Sequence, residues 1–191
     1  MKYRYIYNMI TNISFPTLLT LLRCLLIPFF IIFFYLPFDK ASSISALIFI
    51  IAAITDWFDG LLARRWKQIT KFGTFLDPIA DKLMVTVGLV LVSEYFHTCW
   101  ITIPAIIIVT REIIISGLRQ WSSQISNIEI ISPLRISKIK TTAQMLSLTI
   151  LLWHPNTIIT YIGIITLYIA LFFTLWSMFS YFKIFQYNLL Q

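Results

Sequence analysis

The chain has 191 residues, of which 59% are hydrophobic and only 12% charged, and its mean hydropathy is +0.84. Soluble domains carry about 25% charged residues, so these values exclude an ordinary soluble domain and imply an integral membrane protein. The formal net charge of +7 does not call for nucleic acid, because the basic residues stand at the ends of apolar segments, where they orient a chain beside anionic lipid.

Residues 1–16 (MKYRYIYNMITNISFP) mix aromatic side chains with Lys2 and Arg4, which predicts a short helix lying in the membrane interface. The apolar run that follows, Phe15 to Phe38, lacks a small-residue cleavage pattern and is read as a retained span rather than a signal peptide. At about 20 apolar residues per span, the predicted spans are Thr17–Leu36, Ser42–Leu62, Pro78–Tyr95, Trp100–Trp121, Ile139–Trp153 and Thr157–Phe182. A polar stretch, SSQISNIEIISPLRISKIK, separates the fourth from the fifth. The expectation is an all-α integral membrane protein, one domain over residues 1–191, with six transmembrane helices. Six spans put both termini on one side, and every Lys and Arg except Lys40 then falls on that side, which makes it cytoplasmic.

The two cysteines, Cys24 and Cys99, form no metal or redox spacing. His97 and His154 fall near the outer face, far from the acidic residues, and are read as interfacial. Trp57, Trp66, Trp100, Trp121 and Trp153 stand near span ends, as an aromatic belt would.

The acidic residues are unevenly spread. Four of the eight are Asp56, Asp59, Asp77 and Asp81, at the cytoplasmic ends of the second and third spans. Helical neighbours lie three or four residues apart, so Asp56 and Asp59 share one face, as do Asp77 and Asp81. A hairpin of the two spans would bring both pairs together. Carboxylates crowded at membrane depth repel one another and suffer desolvation, and a divalent cation relieves both. An all-oxygen set suits Mg²⁺, Mn²⁺ or Ca²⁺, and two ions about 4 Å apart would clamp a phosphoryl group. Ion pairing of these aspartates with Arg64, Arg65, Lys67, Lys71 and Lys82 is the alternative. It leaves unexplained the small residues Gly60, Ala63 and Gly73, which let backbones approach or leave room for a ligand.

The spacing Asp56-x2-Asp59-Gly60-x2-Ala63-Arg64-x8-Gly73-x3-Asp77-x3-Asp81 resembles the signature of the CDP-alcohol phosphotransferase family at every position. The stretches FPTLLTLLRCLLIPFF (15–30), FLDPIADKLM (75–84), TREIIISGLRQ (110–120) and KIKTTAQM (138–145) resemble the bacterial branch that uses glycerol 3-phosphate as acceptor. The resemblance covers nearly the whole chain. It implies a six-helix fold, usually a homodimer, in the bacterial cytoplasmic membrane with its site facing the cytoplasm. It implies transfer of the phosphatidyl group from CDP-diacylglycerol to glycerol 3-phosphate, with CMP leaving, and dependence on Mg²⁺ or Mn²⁺, two ions in all. Asp56, Asp59 and Asp77 correspond to ligands of the first ion, and Asp81 to a ligand of the second and to the general base. Gly60, Ala63, Arg64, Thr70 and Gly73, with Thr20 and Arg23, correspond to positions around the CDP-diacylglycerol head group.

The acceptor is a dianion and needs a basic pocket, for which Arg111, Arg119, Arg135, Lys138 and Lys140 are the candidates on the cytoplasmic side. Glu112 is a possible partner for Arg111, and the two lysines also suit positive-inside anchoring. The sequence departs from the family pattern at Ser14, Thr17, Ser126–Asn127 and Ser137, which touches the acceptor side and not the acidic signature. Two alternatives follow: the same chemistry with phosphatidylglycerol, serine or inositol, or a small cation transporter. Transport calls for carboxylates near the bilayer midplane, whereas these gather at one face.

Overall fold

A computed structural model of the chain describes residues 15–66, 71–125 and 134–189, which form six helices. They are α1 (Phe15–Tyr35), α2 (Ala41–Trp66), α3 (Lys71–Phe96), α4 (Cys99–Ile125), α5 (Leu134–Trp153) and α6 (Thr157–Leu189). The expected interfacial helix falls almost wholly outside the described residues. The all-helical expectation holds, but the helices overrun the predicted spans: α2 continues past Leu62 to Trp66, α3 begins at Lys71 rather than Pro78, and α6 continues to Leu189. An apolar run ends where the hydrocarbon ends, whereas a helix ends only where its backbone hydrogen bonds do.

Among the described residues, three helices are long and apolar enough to cross a bilayer by length and composition alone, over Leu18–Tyr35, Cys99–Leu118 and Thr157–Tyr181. In α2 the apolar part is shorter, Ala41–Asp56. The remaining two are interrupted by charge: α3 contains Asp77, Asp81, Lys82 and Glu94, and α5 contains Arg135, Lys138 and Lys140.

The exposed surface differs from that of a water-soluble bundle in being apolar. On α6 the inward stripe is Gly163, Leu167, Ala170, Thr174, Ser177 and Tyr181, all buried. These positions alternate by four and three residues, the repeat of a packing seam. The outward face carries Phe172 at 57%, Trp176 at 55% and Phe179 at 64% exposure. Polar hydroxyls inside and large aromatic residues outside is the arrangement lipid favours, because the surrounding tails are as apolar as the side chains.

The chain divides into two compact units, Met1–Gly88 and Leu89–Gln191, with the boundary inside α3. In the first, α1 and α2 pack as an antiparallel hairpin. Phe30 meets Phe49, with ring centroids 6.0 Å apart. Seven residues back along α1 and seven forward along α2, two turns each, the same seam reaches Arg23 and Asp56. Pro28 stands inside α1, where its missing N–H breaks one helical hydrogen bond.

In the second unit, α6 packs against α5 and α4. Asn156 caps α6, its Oδ1 accepting from the Ile159 backbone N–H at 2.9 Å. His97 and His154 follow the ends of α3 and α5 with φ of 45° and 29°, the left-handed position usually given to glycine. His154 also stacks on Tyr95, centroids 4.2 Å apart. Both histidines therefore terminate helices.

At the α5–α6 crossing Ser147 Oγ donates to the Gly163 carbonyl at 3.0 Å. A Cβ at Gly163 would meet Leu151 Cδ2 and Cγ at 2.9 Å, whereas one at Gly117 would meet nothing within 4 Å. Gly163→Val is therefore expected to lower stability by about 1–3 kcal/mol through overpacking. Gly117→Ala should leave it unchanged or raise it, by up to about 1 kcal/mol. Thermal unfolding in detergent measures both, and equal melting temperatures for Gly163→Val and the parent would contradict the crossing.

Candidate active site

Asp56 and Asp59 both lie within α2, and Asp77 and Asp81 both within α3, so each pair has the helical spacing that puts its members on one face. The side chains of Asp56 and Asp81 are described, and both are half-buried. Those of Asp59 and Asp77 lie outside the described residues, as do those of Ala63 and Arg64 and the surroundings of Gly60 and Gly73 on the same two helices. Thr70 lies outside them entirely. Among the described residues no three His, Cys, Asp or Glu side chains converge as metal ligands do.

Asp56 has a partner that the sequence spacing does not point to. Arg23 Nη1 donates to Asp56 Oδ1 at 2.6 Å, across the α1–α2 seam and 33 residues apart in sequence. Arg23 is only 1% exposed. Taking a guanidinium out of water costs several kcal/mol unless it is paired, so the pair fixes both side chains. Thr20, three residues earlier on the same face of α1, is fully buried as well. The two residues expected at the head-group site thus line the inside of α1. Among the described residues, the cation beside Asp56 comes from α1, a partner that the sequence reading did not consider.

The second charged cluster lies in the other unit, on α4, α5 and α6. Arg111 Nη1 donates to Glu112 Oε1 at 3.2 Å, and Lys140 Nζ donates to the same oxygen. Arg111 Nη2 donates to Ser177 Oγ, and its guanidinium carbon lies 5.8 Å from the centre of the Tyr181 ring, a cation–π distance. Ser177 Oγ in turn donates to the Thr174 carbonyl at 3.0 Å, which leaves its lone pairs for Arg111. Arg111 and Lys140 are both buried. Burial of Lys140 departs from the anchoring alternative, which calls for an ammonium out in the interface. Side chains of the other acceptor candidates, Arg119, Arg135 and Lys138, lie outside the described residues.

Sequence reasoning missed Ser177, Tyr181 and Gln144 here. Gln144 is buried one turn beyond Lys140 on α5, and its Nε2 has no hydrogen-bond partner among the described residues. The spacing of Thr174, Ser177 and Tyr181 by three and four residues on one face of α6 was the available signal.

Two separate sets of charged side chains, each on helices whose outward faces are apolar, are what a membrane-embedded reaction on phosphates would need. The family profile for CDP-alcohol phosphatidyltransferase matches residues 13–176. The chain belongs to this family. It is 56% identical over 178 residues to the CDP-diacylglycerol–glycerol-3-phosphate 3-phosphatidyltransferase of Pectobacterium atrosepticum, covering 93% of this chain and 98% of that one. The protein of the same name from Sodalis glossinidius is 56% identical over 170 residues, 89% of this chain and 93% of its own. That of Salmonella typhimurium is 55% identical over 168 residues, 88% and 92%.

Asp56→Asn leaves Arg23 buried without its carboxylate and is expected to destabilise the chelator-treated protein by roughly 1–3 kcal/mol. Adding Arg23→Met should recover most of that loss. Thermal unfolding of the two single variants and the double variant reads the coupling, and strictly additive losses would contradict the pair.

Proposed function

We propose that the chain is a phosphatidyltransferase that moves the phosphatidyl group of CDP-diacylglycerol to sn-glycerol 3-phosphate, giving phosphatidylglycerophosphate and CMP. The observation that carries this reading is the match to relatives of that name at 52–56% identity over most of the chain, with the acidic signature complete. The enzyme lies in the bacterial inner membrane on six spans, both termini and the site toward the cytoplasm. It acts as one catalytic domain and as a homodimer. The distribution of Lys and Arg supports the orientation.

The donor set suits a hard divalent cation: the four candidate ligands are all carboxylates, and Asp56 already draws a cation, the Arg23 guanidinium. Asp56, Asp59, Asp77 and Asp81 would hold Mg²⁺ or Mn²⁺, two ions in all. Bound there, the metal supplies neutralisation of the diphosphate and of the charge developing on the departing CMP. Arg64 grips the donor phosphates bidentately, while Gly60, Ala63 and Gly73 leave room for the head group. Thr70, Thr20 and Arg23 complete the donor side.

Arg111 and Lys140, with Arg119, Arg135 and Lys138 as further candidates, hold the phosphate of the acceptor and orient its free hydroxyl. Asp81 takes the hydroxyl proton as the oxygen attacks the β-phosphorus and the bond to CMP breaks. The net change is one phosphate ester formed, one phosphoanhydride broken and one proton released.

Asp81→Asn should remove CMP release with glycerol 3-phosphate by at least ~100-fold, the scale of a general base, while the protein remains folded in detergent. A chelator should stop the parent enzyme, and added Mg²⁺ should restore it. Near-normal turnover by Asp81→Asn would remove Asp81 from its role, and turnover in chelator would remove the metal.

A further inference from the structure

Glu112 poses a problem for the acceptor site. A pocket for a dianion needs its cations available, yet the carboxylate oxygen Oε1 of Glu112 receives both Arg111 Nη1 and Lys140 Nζ. Arg111 and Glu112 are neighbours in α4, and adjacent helical residues do not face each other. Here the two side chains turn toward each other, and Lys140, from α5, meets the same carboxylate oxygen.

The two cations differ from the anion in how firmly they are fixed. Arg111 is buried and tied to α6 by Ser177 and by the Tyr181 ring, so its position does not depend on Glu112. Lys140 is buried in the face of α5 that also holds Gln144. Glu112 is 21% exposed, the least enclosed of the three, and can turn away. Two buried cations held together by one partly exposed carboxylate, with the buried Gln144 amide donor on the same α5 face, make an arrangement that an oxyanion with more charge would complete better.

We propose that Glu112 is an internal stand-in for the acceptor's phosphate, occupying Arg111 and Lys140 at rest and displaced when glycerol 3-phosphate binds, so that it sets the threshold for which acceptors are used. This rests on the acceptor reading above. A phosphate monoester brings two negative charges and three oxygens and outcompetes a single carboxylate. A carboxylate, a hydroxyl or a phosphodiester brings one charge or none and does not. Glu112 thus discriminates by competition: every acceptor must be better than the glutamate.

The test is the concentration of glycerol 3-phosphate giving half-maximal CMP release, measured on the full-length enzyme in detergent with CDP-diacylglycerol and Mg²⁺, together with inhibition by sulfate. Arg111→Gln and Lys140→Gln should raise that concentration. Glu112→Gln, which removes the competitor, should lower it about tenfold and lower the inhibitory sulfate concentration by a similar factor, because nearby like charge is removed from the anion's site. Glu112→Asp keeps the charge on an arm one methylene shorter, should move both values part of the way, and serves if Glu112→Gln does not fold. A purely structural glutamate would raise the glycerol 3-phosphate requirement on substitution, or leave it alone. Either result with the Arg111 and Lys140 variants impaired would overturn the competition while leaving the acceptor site standing. No change in the Arg111 and Lys140 variants would overturn the acceptor site, and the competition with it.

Discussion

A charge placed inside an apolar helix must find a partner, and the rest of this structure is arranged around that demand. Removing an ionised group from water costs several kcal/mol unless an opposite charge and hydrogen bonds replace the solvent. In a chain with 12% charged residues, the buried charges that remain are costly enough to be kept for use. Arg23 meets Asp56 across the first hairpin, and Arg111 and Lys140 meet on Glu112. Both arrangements suit the proposed phosphate chemistry, because a cation beside a carboxylate is also a cation that a phosphate can claim.

The packing supports these pairs from the apolar side. The Phe30–Phe49 contact sets the register of α1 and α2 two turns away from the ion pair, so the position of Arg23 follows from apolar packing. On α6 the seam passes from Gly163, where the Leu151 side chain packs against bare backbone, to Ser177 and Tyr181, which hold Arg111. Close approach at one end and polar side chains at the other let a single helix serve both packing and the placing of Arg111. Large residues such as Phe172 and Trp176 then face outward, where lipid takes the place of a core.

Much of this was legible in the sequence because it is local. The two aspartate pairs depend on spacings of three and four residues, and the helices that carry them are present as expected. The helix limits were less legible, since hydropathy marks where an apolar run ends and α2 and α3 continue beyond those runs as helix. The pairings were illegible for a different reason: Arg23 and Asp56 are 33 residues apart and Lys140 and Glu112 are 28 apart. No periodicity within one helix specifies the face of another. The pairing of Arg111 with its neighbour Glu112, by contrast, was open to the sequence reading and is present at 3.2 Å. His97 and His154 read as interfacial residues, and only the backbone reveals them as helix terminators with positive φ.

The central claim is that these charges serve transfer of a phosphatidyl group to a phosphorylated acceptor. It is tested most directly by offering the purified protein CDP-diacylglycerol and Mg²⁺ with one acceptor at a time and measuring CMP. Release with glycerol 3-phosphate, and none with serine, inositol or phosphatidylglycerol, is the result expected from the acidic signature and the Arg111–Lys140 pocket together. Release with serine or inositol but not with glycerol 3-phosphate would contradict the acceptor pocket, and no release with any of the four would contradict the account as a whole.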